Sequence, residues 1–347
     1  MGATQASGTS HARQLAAATL AALLALAPGF TAAQVPTPFG FAQGWQGQQN
    51  PPADTGVRIR REVDLVLVEA TVKDKSGRVL GDLKQEDFRL SDNGQPQEIA
   101  HFSRDQLPLA VVMVVDLSTS IQPFLRPLRY ASMTALKALK PEDQVALITF
   151  SDDAELVVEL TKDKGEVANP FETFHAAGST NINDAIYGAA DYLQKEAPAA
   201  RRIIVLVSDN VPTNPGRVDQ RGVIDAALRA DAAVYSLKIP GRNPRGLNLA
   251  TCKAFSGMVN VKKLTEDTGG EIFDIEKEGS LFIAFQALIE RVKTRYTIGF
   301  YRPDTSQGSG FRRLDVALAS SHGTKGSDYS VLSKTGYFPP PPTRSTR

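Results

Sequence analysis

The apolar run at residues 111–115 ends at a carboxylate, and this boundary constrains the fold more than any other feature of the sequence. Five consecutive apolar residues, four of them valine, are typical of a strand buried on both faces of a parallel sheet. Asp116, Ser118 and Ser120 follow directly, two residues apart. Oxygen donors at the carboxyl end of a strand can converge on one hard cation such as Mg2+, which keeps several of its waters. The sequence therefore predicts a metal site at the edge of an α/β sheet.

Two later segments add oxygen donors in a compatible order. A glycine loop at Gly178 leads to Thr180 and then to a predicted helix, and the apolar run at residues 203–207 leads through Ser208 to Asp209. Ligands collect where the strands of an open α/β sheet end, so three such loops on one edge predict a shared site. Each loop alone is more typical of helix caps and turns, and it is the three in this order that favour a metal site. The predicted metal-binding residues are Asp116, Ser118, Ser120, Thr180 and Asp209.

With these motifs the chain resembles the von Willebrand factor A domain and its metal-ion-dependent adhesion site, over about residues 109–291. The resemblance implies that Ser118, Ser120 and Thr180 contact the metal directly or nearly so, whereas Asp116 and Asp209 act mainly through bound water. It also implies a divalent cation, Mg2+ or alternatively Mn2+ or Ca2+. An open coordination position would then accept an Asp or Glu carboxylate of a partner protein.

The chain departs from the usual pattern of that family at three positions where glycine is common, namely Thr119, Ser179 and Asn210. None of these departures removes a predicted ligand. Asparagine enters the left-handed backbone region more readily than most residues, so Asn210 is expected to be tolerated. Thr119 is the departure expected to stiffen its loop and weaken metal binding.

Residues 109–291 alternate between strand and helix patterns, which predicts a doubly wound, mostly parallel sheet of the von Willebrand A or Rossmann-like type. Strands are predicted at residues 110–115, 144–150, 155–160, 202–208, 232–238 and 271–273, and helices at residues 124–139, 184–195, 216–230, 261–268 and 281–293. The strand at 155–160 follows a tight Ser-Asp-Asp turn, so it is predicted to be an antiparallel edge strand.

Strand patterns also flank this region, at residues 57–103 and 296–332. Asp92-Asn93-Gly94 is a strong hairpin signal, and the flanking strands are predicted at 88–90 and 98–102. Neither flank has enough strands to bury a core alone. We therefore expect one small all-β sandwich-like domain, formed by residues 57–108 and 294–338, with the A domain at 109–293 inserted into it. The alternative is two separate β units.

The flanks extend the resemblance to about residues 57–338 and make the chain similar to secreted bacterial proteins called von Willebrand factor A-related, which are abundant in Acidobacteria. The apolar stretch at residues 15–27 is too short to span a bilayer and precedes small residues ending at Ala33, so residues 1–33 are predicted to be a signal peptide. An uncleaved anchor is the alternative. Residues 34–56 are predicted to be a disordered leader and 339–347 a flexible tail.

Composition limits the partners. Lys and Arg number 39 against 38 Asp and Glu, so no nucleic-acid-binding patch is expected. No segment after the signal peptide is apolar enough to cross a membrane. Cys252 is the single cysteine, so an internal disulfide is excluded. The expected location is outside the cytoplasm: periplasmic, cell-surface or extracellular.

Three functions are compatible with the predicted site. The favoured one is a metal-dependent, adhesion-type protein-binding module without enzymatic activity. The second is a hydrolase that uses the same metal, for which His175 is the candidate base because it lies just before Gly178. No G-x-S-x-G or H-E-x-x-H motif supports hydrolysis. The third is a structural envelope scaffold whose metal site is vestigial.

Overall fold

The computed structural model describes residues 64–104, 107–241, 257–277, 279–302, 310–319 and 328–339. The strands are β1 (Leu65–Asp74), β2 (Phe88–Asp92), β3 (Gln95–Gln97), β4 (His101–Arg104), β5 (Leu109–Asp116), β6 (Gln144–Phe150), β7 (Ala154–Thr161), β8 (Arg201–Ser208), β9 (Ala232–Lys238), β10 (Ile272–Asp274), β11 (Tyr296–Tyr301), β12 (Arg312–Leu318), β13 (Tyr329–Ser333) and β14 (Gly336–Tyr337). The α-helices are α1 (Leu125–Leu136), α2 (Lys164–Ala168), α3 (Ile182–Glu196), α4 (Gln220–Arg229), α5 (Val261–Thr268) and α6 (Ser280–Lys293), and short 3-10 helices lie at Gln85–Asp87, Thr119–Phe124 and Asn169–Glu172. The predicted signal peptide, leader, Cys252 and the tail beyond Pro339 lie outside the described residues.

The central sheet has the strand order β10-β9-β8-β5-β6-β7. Neighbouring strands are parallel except for β7, which pairs antiparallel with β6 at the edge, as predicted. Every residue of β5 is buried, because α1 and α6 cover one face of the sheet and α3, α4 and α5 cover the other. The predicted doubly wound, mostly parallel α/β fold is confirmed.

The remaining strands form two antiparallel sheets with the orders β13-β1-β11-β4 and β14-β12-β2-β3. β1 precedes the α/β region and β11 follows it, yet the two strands pair, with Val68 opposite Ile298. Their inward-facing side chains, including Phe300 of β11, pack with Phe88 and Leu90 of β2 in one apolar core. The α/β fold is thus inserted into a small all-β unit, as the predicted fold class requires.

Charged side chains join this β unit to the α/β region. Glu69 of β1 bonds the guanidinium of Arg201 and lies 2.9 Å from Nη1 of Arg295. Four residues along the same strand, Lys73 pairs with Glu271, which also faces the guanidinium of Arg291 on α6. The side chains of Arg201 and Arg295 are only 3% and 2% exposed. We refer to Glu69, Arg201 and Arg295 as the interdomain ion cluster.

Four of the five predicted helix starts are shifted by one to four residues, and two of them have a clear local cause. The first predicted helix at 124–139 is preceded by a 3-10 turn, and α1 begins at Leu125 because Pro123 lies in that turn. The predicted helix at 216–230 begins only at Gln220. Asp219 caps it by accepting the backbone N–H of Gly222, while Asp184 accepts the N–H of Arg217 and keeps that residue outside the helix. A capping bond therefore sets the start of α4, whereas α1 begins without a side-chain cap.

The hairpin prediction is correct in its turn and wrong in its second strand. Asn93 and Gly94 have φ values of 50° and 78°, which fits a two-residue turn between β2 and β3. The returning strand is β3, not residues 98–102. The next strand, β4, pairs with β11 in the other sheet. The polar residues of β3 lack the apolar alternation on which the prediction relied.

Gly94→Ala is expected to destabilise the protein by about 1 kcal/mol, because alanine disfavours a φ of 78° although nothing lies within 4 Å of its Cβ. The matched control is Gly188→Ala inside α3, where the added Cβ is also free of contacts. That change is expected to stabilise by about 0.5–1 kcal/mol. Urea unfolding of both variants checks the pair, and shifts of the same sign would contradict this account of the turn.

None of the helices in the described ranges has the length and apolar character needed to span a bilayer.

Candidate metal centre

Hydrogen bonds connect the end of β6, the loop after β5, the loop before α3 and the loop after β8. The N–H of Leu117 donates to Phe150 O at 2.7 Å, and the N–H of Ala177 donates to Leu117 O at 2.7 Å. On the other side, the N–H of Thr180 donates to the hydroxyl of Thr213 at 2.8 Å. The predicted residues therefore lie on loops that are held together by direct bonds, which is the arrangement that the parallel strands predict.

Asp116, Ser118 and Ser120 are in direct contact. The N–H of Ser118 donates to Oδ1 of Asp116 at 2.7 Å, and the hydroxyls of Ser118 and Ser120 are 3.0 Å apart. Asp209 lies in the loop after β8, where its Oδ1 accepts the N–H of Val211 at 3.0 Å. Asp116 is fully buried, and Asp209 is 9% exposed. Two carboxylates and neighbouring hydroxyls thus share one recess.

Thr180 is buried and joins the loop of Asp209 through Thr213, which also donates its N–H to Thr180 O at 3.1 Å. Gly178 makes the sharp turn before it, with a φ of 90°. A Cβ at this position would lie 2.8 Å from Oδ2 of Asp152, so only glycine fits. Ser179, one of the three departures from the family pattern, bonds Asp152 with its hydroxyl. This departure therefore anchors the loop.

The pKa of Asp116 reports the electrostatics of the recess. Burial raises the pKa of this carboxyl from 3.8 to about 6, hydrogen bonds from the Ser118 N–H and the Ser208 hydroxyl oppose the rise, and the charge of Asp209 adds to it. None of the five largest influences on this carboxyl is a cationic side chain. A divalent cation would supply the missing positive charge, so the donor set fits Mg2+ or Mn2+.

The predicted donor set consists of two carboxylates and three hydroxyls, so it contains fewer than three His, Cys, Asp or Glu side chains. Among the described residues, no group of three or more His, Cys, Asp or Glu side chains is placed to hold a metal ion. A cation site built mainly from hydroxyls does not require such a group. His175, the candidate base, is exposed, and its Nδ1 lies 2.8 Å from the carbonyl oxygen of Thr173 in its own loop.

Two serines behind the carboxylates were not predicted from the sequence to have a role in the site. Ser208 donates its hydroxyl to Oδ2 of Asp116 at 2.8 Å, and Ser236 on β9 bonds the side chain of Asn210. The signal for Ser208 was its position beside Asp209 at the end of an apolar strand. Asn210 has a φ of 60°, which confirms that asparagine takes the left-handed conformation there.

The sequence profile of the von Willebrand factor type A domain family matches residues 111–211, the segment that contains all five predicted metal-binding residues. The chain therefore contains a von Willebrand factor type A domain. Domains of this family typically mediate protein–protein interactions and often depend on a metal.

This von Willebrand factor type A domain protein is similar to two curated mammalian proteins. Mouse inter-alpha-trypsin inhibitor heavy chain 4 is 30% identical in an alignment of 148 residues that covers 37% of this chain and 16% of the mouse protein. The bovine inter-alpha-trypsin inhibitor heavy chain H4 is 32% identical in an alignment of 130 residues that covers 33% of this chain and 14% of the bovine protein. The chain thus matches only a small part of the length of these relatives.

Solved structures with similarity to this von Willebrand factor type A domain protein include two bacterial examples. A von Willebrand factor type A protein from Catenulispora acidiphila has 12% identity and a TM-score of 0.42, with 74% of this chain and 75% of that chain covered. An aerotolerance-related membrane protein from Bacteroides fragilis has 18% identity and a TM-score of 0.39, with 52% of this chain and 98% of that chain covered.

Proposed function

We propose that the protein is an exported, non-enzymatic binding module that captures an acidic group of a partner protein through a divalent cation. The single observation that carries the proposal is the recess at Asp116. A buried carboxylate there accepts hydrogen bonds from Ser118 and Ser208 and is influenced by the charge of Asp209, and none of its five largest influences is a cationic side chain. Asp116, Ser118, Ser120, Thr180 and Asp209 would hold the cation, as in a metal-ion-dependent adhesion site.

The donor types support a cation that binds an outside ligand rather than one that is fully enclosed by the protein. Neutral hydroxyls neutralise little of its charge, so a bound ion would remain attractive to a carboxylate from outside. The residues of the chain then have separate roles. Ser118 and Ser120 present their hydroxyls from one turn, and Thr180 presents a third from the loop that Gly178 shapes. Asp116 is held by two hydrogen-bond donors and keeps its orientation.

Export is part of the same proposal. The apolar stretch at residues 15–27 and the small residues before Gln34 support removal of a signal peptide. The partner would then be a protein of the cell envelope or its surroundings that presents an Asp or Glu side chain.

The test is capture of envelope proteins on the immobilised protein in Mg2+ and in a chelator. We expect a set of proteins that is retained in Mg2+, released by the chelator and retained again when Mg2+ is restored. Ser118→Ala is expected to lose this set because it removes a metal-facing hydroxyl. Ser132→Ala, which removes a buried hydroxyl on α1 that bonds Arg129 O, is the matched control and is expected to retain it.

A soluble peptide with an Asp at its centre, compared with the same peptide carrying Asn, tests the chemistry of recognition. We expect the Asp peptide to compete and the Asn peptide to fail. Equal capture in Mg2+ and chelator, or equal competition by both peptides, would contradict the proposal.

A further inference from the structure

A chain of hydrogen bonds crosses three adjacent strands behind the candidate metal centre. The hydroxyl of Ser236 on β9 donates to Oδ1 of Asn210 at 3.0 Å and accepts from Nδ2 of Asn210 at 2.9 Å. The backbone N–H of Asn210 donates to the hydroxyl of Ser208 at 3.1 Å. That hydroxyl donates in turn to Oδ2 of Asp116 at 2.8 Å on β5.

The direction of these bonds is fixed by the number of protons available. A serine hydroxyl has a single proton. Because Ser208 accepts the N–H of Asn210, its own proton is free to point at Asp116. The N–H of Ser118 holds the other carboxylate oxygen. Donors from two loops therefore set the plane in which the Asp116 carboxylate lies. Ser208 and Ser236 are both fully buried, so water does not compete for these bonds.

Asn210 connects this chain to the second carboxylate. It follows Asp209 directly and has a φ of 60°, a conformation that glycine also adopts freely. Glycine would satisfy the backbone here but has no amide with which to bond Ser236. The asparagine side chain is therefore not required by the turn itself, and its bonds to Ser236 connect the loop of Asp209 to β9.

We infer that Asn210 and Ser236 are positioning residues for the metal centre: their paired side chains hold the loop of Asp209 and, through Ser208, orient Asp116 for the cation. The inference rests on the proposed function, since it assumes that a cation binds here. Its specific content is that glycine at position 210 gives a folded protein with a weaker metal site. Partners one bond removed from metal ligands typically change affinity by about 10-fold to 100-fold when they are removed.

The test uses four variants of the full chain: Asn210→Gly, Ser236→Ala, the double variant and Ser208→Ala, with Ser132→Ala as a buried-serine control. Mg2+ and Mn2+ dissociation constants are measured by calorimetry, and unfolding without metal is measured separately. We expect Asn210→Gly and Ser236→Ala each to weaken both metals by about 10-fold. The double variant is expected to be no weaker than either single variant, because the two residues act as one pair. Ser208→Ala is expected to weaken binding at least as much.

The Mn2+ electron paramagnetic resonance spectrum gives a second readout, since a merely structural role would leave the spectrum of the bound ion unchanged. Unchanged dissociation constants with lower metal-free stability would overturn the inference and leave the pair as structural. Independent, additive losses in the two single variants would overturn it as well. A wild-type protein that binds neither Mg2+ nor Mn2+ would overturn the proposed function itself, which distinguishes the two failures.

Discussion

Glu69→Ala is expected to lower the free energy of unfolding by about 3 kcal/mol, because it removes the only carboxylate of the interdomain ion cluster. Glu69 contacts the guanidinium groups of both Arg201 and Arg295. The arginines are also held by carbonyls, since Arg201 donates to Val292 O and Arg295 to Gly269 O, both at 3.0 Å. Removing the carboxylate leaves the guanidinium groups of both arginines buried, with less negative charge to compensate their positive charge. The side chain of Glu69 is 23% exposed, which places the loss at the lower end for buried pairs.

The comparison is with Glu172→Ala, whose carboxylate pairs with Arg129 at the surface and is 60% exposed. Removing an exposed pair is expected to cost less than about 1 kcal/mol. Glu69→Gln, which keeps the shape and removes the charge, is expected to fall between the two. Urea unfolding of the metal-free protein measures all three variants. If Glu69→Ala cost no more than Glu172→Ala, the interdomain ion cluster would be irrelevant to stability.

Asp116→Asn is expected to remove metal-dependent stabilisation altogether and to make the metal-free protein more stable near neutral pH. A ligand at 100 times its dissociation constant stabilises a folded protein by about 2.7 kcal/mol, and the variant loses this gain. Without metal, the folded wild type has to ionise a buried carboxyl whose pKa is raised to about 6 by burial. Asparagine avoids that cost, which is at most about 3 kcal/mol for a rise of this size.

The pH dependence has a definite sign. Asp116 binds its proton more tightly in the folded protein than in the unfolded chain, because its pKa is raised from 3.8 to about 6. Its contribution to stability is therefore fully present below 3.8 and is lost as the pH rises through about 6. The metal-free wild type is expected to lose stability relative to Asp116→Asn over this window. Thermal melts of both proteins across the window, with and without Mg2+, make the comparison.

Asp143→Asn is the control for the loss of a buried carboxylate elsewhere. Asp143 accepts the N–H groups of Leu109 and Lys140, both at 2.8 Å, and lies away from the predicted ligands in sequence. This variant is expected to lose stability and to keep its response to Mg2+. An Asp116→Asn protein stabilised by Mg2+ as strongly as the wild type would contradict the assignment of the metal centre.

The central sheet was predictable because the apolar composition of its strands is typical of buried parallel strands. Every residue of β5 is apolar up to Asp116, because a strand covered on both faces has no solvent-facing position for a polar side chain. The positions of the predicted ligands follow from the same logic, since parallel strands deliver their carboxyl ends to one edge. β7 was predictable as an edge strand because a tight turn joins it to β6.

The features that escaped prediction depend on which residues become neighbours across strands. Ser236 lies opposite Leu206 in the register of β8 and β9, and nothing in the local sequence indicates that it will meet Asn210. The strand β3 escaped prediction for a similar reason, because its three polar residues form a strand only by pairing with β2. Glu69 reads as an ordinary polar residue of a β-strand until the arginines from distant segments reach it.

The pairing of β1 with β11 also has a consequence for the order in which the protein folds. The partner of Val68 is Ile298, so β1 lies far along the chain from the strand that completes its sheet. Pairing over such a sequence separation is slow until the intervening chain has compacted. We expect the α/β segment to fold first and bring β1 and β11 together, with the β unit closing last. Until then β1 would remain an unpaired apolar strand, so the partly folded chain is expected to be most prone to aggregation over that interval.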